Sequence, residues 1–347
     1  MTGVPCALMR GGTSKGGVFL ASDLPSAPAE RDGLLLRLMG SPDPRQIDGL
    51  GGAHPLTSKV AVVSPSTVAE ADVDYLFLQV VVDEPVVTDS QTCGNMLAAV
   101  APFAISHGLV RASDPVTSVR VRLVNTGAVA TLRVRTPDGA VTYDGDTALS
   151  GVPGTAAPVE IDVAPSGRPL LPTGRALDVL AGVEATCVDN GMPSVVVRAT
   201  DLGVRGDEPP AELEDNADLT AKVREIRAAA MTAMGLSGDL EATTVPKIVL
   251  VSPPRQGGTI ATRSFIPLRV HQAIGVLGAA SVAAAVALRD GVAAGLAASV
   301  HEGRVRLEHP TGFSDLVLDG DRTTVVRTAR LIMEGVLHPA PARSKES

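Results

Sequence analysis

The feature that most constrains how this chain can fold is a long-range internal echo. The run Leu56-Thr57-Ser58-Lys59-Val60-Ala61-Val62-Val63-Ser64-Pro65 is answered far along the chain by Thr244-Val245-Pro246-Lys247-Ile248-Val249-Leu250-Val251-Ser252-Pro253. Each copy is followed by a glycine-opened, alanine-rich stretch, at Gly94 and at Gly275. A third echo pairs Cys6–Phe19 with Cys187–Val197: an apolar run, a glycine-bearing turn, then a Val-rich strand. Three matches in the same order mark two halves of one ancestral unit. At 347 residues the chain suits two middling domains, expected at residues 1–180 and 181–323, with 324–340 returning to the first.

Short strand-like runs dominate: Lys59–Ser64, Tyr75–Val82, Val119–Val124, Ala130–Arg135, Ser194–Arg198 and Lys247–Ser252. Pro137-Asp138-Gly139 and Asp319-Gly320-Asp321 read as hairpin turns. Helical spacing is confined to Arg31–Met39, Gly94–His107, Leu219–Met234, Val270–Asp290 and Thr324–Glu334. The fold class is therefore α+β. Ala273–Leu288 is apolar all round, which marks a helix buried on every side. In a strand-rich protein its natural casing is a curved sheet, so each half is expected to wrap a sheet around a central helix. Pro102 is a cost inside the first such helix. The acidic stretch Ala199–Leu240 reads as a solvated surface excursion, and the tail after His338 as frayed.

Composition narrows the function classes. A net charge of −8 disfavours nucleic acid and anionic membrane, and 2% aromatic content leaves no stacking platform for single strands. The longest apolar run is shorter than the ~20 residues of a membrane helix. Cys6, Cys93 and Cys187 form neither a disulfide framework nor a zinc spacing. The N-terminus lacks the pattern of a signal peptide, so the expected address is cytoplasmic. H-E-x-x-H does not occur, and no metal is expected.

Two residues draw attention as an acid and a base. Cys93-Gly94-Asn95 opens a helix, where unpaired N–H groups and the dipole favour a thiolate or a bound carboxylate. The bland alternative is a small buried hydrophobe. Lys59 begins an apolar strand behind Ser58; it is either a solvated edge lysine or, facing the Cys93 helix, a partner for proton transfer. Arg10-Gly11-Gly12-Thr13-Ser14-Lys15-Gly16 departs from the nucleotide P-loop and reads as an anion cradle built from Arg10, Thr13 and Ser14, or as a plain turn. Met192 in the equivalent second-half loop, with Arg263, Ser264 and His271 ahead of the second helix, are candidates for lining an interdomain cleft, or ordinary surface caps. Aligning Gly94 with Gly275 puts Ile274 opposite Cys93, so a two-thiol mechanism has no second thiol.

With these residues in view the chain resembles the PrpF family, which includes 2-methylaconitate isomerases and 4-oxalomesaconate tautomerases. The resemblance spans nearly the whole chain through MRGGTSKG (Met9–Gly16), GSPDPRQIDGLGG (Gly40–Gly52), LTSKVAVV (Leu56–Val63), CGNM (Cys93–Met96), DNGMP (Asp189–Pro193), VPK (Val245–Lys247), TRSFIP (Thr262–Pro267) and RTARLIMEG (Arg327–Gly335). It implies a diaminopimelate-epimerase-like fold of two similar domains and a cofactor-independent isomerase whose lysine and cysteine match Lys59 and Cys93. The stretches VDYLFLQVVVDEPVV, CVDNGMP and TRSFIP are most similar to the 4-oxalomesaconate tautomerases; Leu268 and Val270 depart from a more polar run before His271. The expected partner is a small polycarboxylate, held by Arg10, Thr13, Ser14, Ser58, Gly94, Asn95, Met192, Arg263, Ser264 and His271. Competing readings are 2-methylaconitate isomerisation and a non-catalytic polycarboxylate-binding protein. The apolar strands leave room for a homodimer.

Overall fold

A computed structural model describes residues 3–90, 92–163, 168–241, 243–320 and 322–341. It divides into two compact units: one takes the chain to Ile161 and again from Arg327 onward, the other runs Asp162–Val326. In the first lie β1 (Val4–Gly11), β2 (Ser14–Leu20), α1 (Pro28–Met39), β3 (Lys59–Pro65), β4 (Val73–Val80), β5 (Val87–Thr88), α2 (Gly94–Ser106), β6 (Val116–Leu123) and β7 (Val129–Arg135). A separate hairpin of β8 (Thr147–Leu149) and β9 (Val152–Ala156) follows, then β10 (Pro158–Val163). The second unit continues with β11 (Asp178–Leu180), β12 (Val183–Asp189), β13 (Pro193–Arg198), α3 (Pro210–Glu214), α4 (Ala217–Ala233), β14 (Lys247–Ser252) and β15 (Ile260–Ile266). It ends with β16 (Arg269–Val270), α5 (Val276–Ala287), β17 (Arg304–His309) and β18 (Gly312–Asp319), and β19 (Arg322–Leu337) leads back to the first unit.

The repeat is visible in the strand pairing. In the first unit β1–β2 is antiparallel, β2–β3 parallel, β3–β4 antiparallel, β4–β6 parallel and β6–β7 antiparallel. In the second, β12–β13, β13–β14, β14–β15, β15–β17 and β17–β18 repeat the same senses in the same order. Pairings of β10 with β7 and β19, and of β19 with β1, bring the first unit's strands round to where they began, a barrel-like sheet.

The sheet of the first unit is buried on both faces, which is why β3 is apolar without alternation. Val60 and Val62 join Leu78, Val80 and the α1 residues Leu35, Leu38 and Met39 in one cluster. The opposite face, with Lys59, Ala61 and Val63, belongs to α2. That helix is buried from Asn95 to Ile105 and packs against β1, β2, β3, β4, β6 and β7. Close approach makes glycine necessary at one position: a Cβ on Gly11 would lie 2.4 Å from the Asn95 carbonyl oxygen. In the second unit α5 is similarly buried and packs against β12, β13, β17 and β18.

Five expectations change. Thr324–Glu334 is strand, not helix, because its β-branched start pairs with β18 and its remainder with β1. The first domain ends near 161 rather than 180, since β11 pairs with β12. The Ala199–Leu240 stretch is no solvated excursion: Leu219, Val223, Ile226 and Ala230 of α4 join Ile248, Leu250 and Phe265 in the second unit's core. Pro137–Gly139 forms a 3-10 turn leading out of the sheet after β7, whose hairpin partner is β6. The helix expected over Val270–Asp290 begins only at Val276, after β16. Asp319 and Arg322 do close a hairpin; Asp321 itself lies outside the described residues, as do residues 342–347 of the tail.

Candidate functional site

Register fixes which side chains share the α2 face of the first unit's sheet. Lys59 lies opposite Gly16 on one side and Gln79 on the other. Directly opposed residues point to the same face, and so do residues two apart along a strand. Ser14, Gly16, Lys59, Gln79, Phe77 and Tyr75 therefore line one surface, the one on which α2 begins at Cys93.

Lys59 is 7% exposed, and its Nζ donates to Gln79 Oε1 at 2.8 Å. The amine also stands 5.0 Å from the centroid of the Phe77 ring. It makes no ion pair among the described residues, so no structural salt bridge ties it up. Gly16 gives it room: a Cβ there would meet the Lys59 carbonyl oxygen at 2.2 Å.

Cys93 occupies the N-cap of α2 and is half-buried, whereas Cys6 and Cys187 are buried. Burial pushes both of those thiols up to about 12, which leaves them inert, with Asp178 adding to the effect at Cys187. The Cys93 side chain makes no capping bond, and the first N–H bonded back is that of Leu97, on the Cys93 carbonyl at 3.0 Å. The N–H groups of Gly94, Asn95 and Met96 thus have no acceptor among the described residues. Tyr75 steadies this start: its hydroxyl donates to the Cys93 carbonyl at 3.1 Å. Burial, and then the neighbouring Cys93, raise the Tyr75 phenol well above its ordinary value, so it stays a donor.

The β1–β2 turn is stitched to the same helix end. Asn95 Nδ2 donates to Thr13 Oγ1 at 3.0 Å, and Arg327 Nε donates to Asn95 Oδ1 at 3.3 Å. The Asn95 side chain is therefore committed to the turn, leaving its backbone N–H for a ligand. Arg10 Nη1 donates to the carbonyls of Gly12 and Thr328 and to Thr328 Oγ1, which pins the turn. Ser14 differs from all of these. Its side chain is 2% exposed, and its Oγ has no hydrogen-bond partner among the described residues. The Oγ1 of Thr92, next to Cys93, is likewise buried and without a partner among the described residues. An orphaned buried hydroxyl needs an explanation, and a bound ligand is one.

Other sequence candidates have different surroundings. Ser58 is fully buried, donating to the Val80 carbonyl at 2.8 Å and accepting from Gln46 Nε2 at 2.7 Å, so its hydroxyl is used within the protein. In the second unit Arg263 shares a face with Phe265, on the α4 side of the sheet, and donates to the Glu208 and Thr262 carbonyls. Ser264 is buried on the other face, and its carbonyl accepts from the His271 N–H at 2.8 Å. His271 Nδ1 accepts from the Ala273 N–H at 2.8 Å. The Met192 carbonyl accepts from Ser194 and Ser281 hydroxyls. Within the first unit a hydrogen bond joins Thr13 to Asn95, and Ser14 and Lys59 lie on the sheet face that α2 covers; Met192, Arg263, Ser264 and His271 bond to residues of the second unit. Because α5 starts at Val276, Gly275 rather than Ile274 holds the position of Cys93, one residue from the expected match and equally without a thiol. Gln79, Gln46, Tyr75 and Arg327 were not singled out from sequence. Gln79 had a signal: it is a polar residue flanked by the apolar Leu78 and Val80, in register with Lys59.

The sequence profile of the PrpF protein family matches residues 1–339. The chain is 52% identical to the (4E)-oxalomesaconate Delta-isomerase of Novosphingobium sp. (strain KA1), covering 97% of this chain and 98% of that one. It is 51% identical to the 4-oxalomesaconate tautomerase of Pseudomonas putida (strain KT2440), covering 97% and 96%. Among solved structures, a methylitaconate-delta-isomerase superposes with a TM-score of 0.84 at 34% identity, over 99% of each chain. A hydroxyproline epimerase from Agrobacterium vitis superposes at 0.59 and 15% identity, a likeness of fold alone. With matches across nearly its full length to the family profile and to these isomerases, the chain belongs to the PrpF family and is an isomerase.

Proposed function

We propose that this enzyme moves a proton on 4-oxalomesaconate, interconverting its keto and enol forms or shifting its double bond, with Lys59 and Cys93 as base and acid and no cofactor. The observation that carries the reading is the shared face: among the described residues, a buried lysine outside any ion pair, a Ser14 hydroxyl without a partner and a helix start at Cys93 whose first N–H groups have no acceptor. The two relatives at 52% and 51% identity, named for 4-oxalomesaconate, supply the substrate.

In the proposed cycle one of the pair takes a proton from carbon next to a carbonyl or alkene, and the electron pair spreads into an enolate. The other returns a proton to oxygen or to the far carbon. Afterwards the base carries a proton and the acid lacks one, and exchange with solvent restores both. The N–H groups of Gly94, Asn95 and Met96 hold a carboxylate or the developing enolate, and Ser14 donates to the same anion. The reading includes a sheet wrapped around α2 as central helix. It also includes a cytoplasmic address, consistent with three free cysteines and with the absence, among the described residues, of a helix long and apolar enough to cross a membrane.

The test follows the ultraviolet absorbance of freshly prepared 4-oxalomesaconate. Wild type should equilibrate it fast, and Lys59→Met and Cys93→Ser should each slow turnover by about 10²–10⁴-fold. No acceleration by wild type would move the reading to 2-methylaconitate, the substrate named for a 38% identical relative from Shewanella oneidensis. Failure on both would favour a binding role.

A further inference from the structure

The motif Gly40–Gly52 and Gln79 of β4 have no part in the cycle above, yet they converge on its lysine. Gln79 meets Lys59 through Oε1, while its Nε2 faces three carbonyls: Ser58 at 2.8 Å, Pro55 at 3.1 Å and Val80 at 3.4 Å. Carbonyls accept and cannot donate, so they select which end of the amide turns toward Lys59. Beneath this lies a second glutamine. Gln46, 1% exposed, donates through Nε2 to Ser58 Oγ and Ser41 Oγ and accepts from the Ala53 N–H at 2.9 Å. Ser58 passes the link on to the Val80 carbonyl. Gly51 leaves space for Gln46, since a Cβ there would meet the amide at 2.1 Å.

We propose that Gln79 is the positioning residue of the proton-transfer lysine, an acceptor locked by backbone carbonyls that aims the Lys59 amine without neutralising it. The inference rests on the reading of Lys59 as an acid–base group. A carboxylate at this position would hold the amine protonated; an apolar residue would let it swing. A neutral amide orients the nitrogen and leaves the proton free to come and go. The other groups presented on this face are Ser14 from β2, Tyr75 and Phe77 from β4, and Cys93 and Asn95 from the start of α2. No carboxylate of the described residues pairs with Lys59.

The experiment compares wild type, Gln79→Met, Gln79→Glu and Lys59→Met in steady-state kinetics on 4-oxalomesaconate across pH, with thermal melting of each. Gln79→Met should lower kcat by roughly 10²-fold with KM nearly unchanged, as a misaimed proton-transfer group does. Gln79→Glu should move the limb of the pH–rate profile set by Lys59 upward by about one unit or more. A purely structural glutamine would alter melting in both variants and leave the profile in place. Wild-type kcat in folded Gln79→Met, or an unmoved profile in folded Gln79→Glu, overturns the inference while an inactive Lys59→Met keeps the reading beneath it. An active Lys59→Met overturns the reading itself. If either Gln79 variant fails to fold, the other decides.

Discussion

Ser14 separates ligand binding from stability at a single atom. Its buried hydroxyl has no partner among the described residues, so removing it leaves none of them unsatisfied. Ser14→Ala should therefore melt at or slightly above the wild-type temperature. Its kcat/KM should fall by about 10- to 100-fold, the value of a hydrogen bond to a charged ligand. A large loss of stability with unchanged kinetics would show the hydroxyl to be part of the fold instead. Lys59, Cys93 and Ser14 could be singled out as candidates in sequence because each sits in a short polar interruption beside glycine or an apolar run. Gln79 was not, since its meaning depends on a strand partner twenty residues away in the chain. The surroundings of Arg263 were hidden for the same reason. A period of two says that Arg263 and Phe265 share a face, but only the packing of α4 shows which face that is.

At the scale of elements, the constraint is the closeness of β2, β3 and α2. Gly16 has no room for a methyl group, because the nearest atom is the backbone oxygen of Lys59 and cannot swing aside. Gly16→Ala should cost about 1–3 kcal/mol in denaturant unfolding and reduce turnover more than the loss of folded protein explains. Equal stability and activity would mean that the strands sit farther apart than described. Strands β3, β6, β7, β13 and β14 and helices α1, α2 and α4 were recognisable from local pattern, each within a few residues. The final strand was not. Thr324–Glu334 has helical spacing, yet β18 pairs with its start and β1 with its remainder, and tertiary pairing outweighs a weak local preference.

For the whole molecule, the second unit carries in β14 the counterpart of β3, with a different lysine environment. Lys247 is 8% exposed, and burial followed by repulsion from Arg227 lowers its amine from 10.5 to about 7. Between pH 7 and 10.5 the unfolded chain binds a proton that the folded protein does not, so this group makes stability rise with pH across that window. Below pH 7 both states are charged and the burial cost is fully present. Lys247→Met should accordingly melt above wild type by on the order of 5 °C near pH 7, and the gap should narrow toward pH 10.5. A gap that stays constant with pH would contradict the buried, partly neutral amine. The repeat itself was the most legible property of the molecule, because matched lysine-led strands survive as sequence even where their chemistry has diverged. The central claim, that two groups of the first unit pass protons to and from the substrate, is tested most directly by turnover in deuterium oxide followed by NMR. The account predicts solvent deuterium at the reprotonated carbon of the product for wild type, and loss of both exchange and turnover in Lys59→Met and Cys93→Ser. Product formed at the wild-type rate by either variant, or formed without deuterium by wild type, would contradict it.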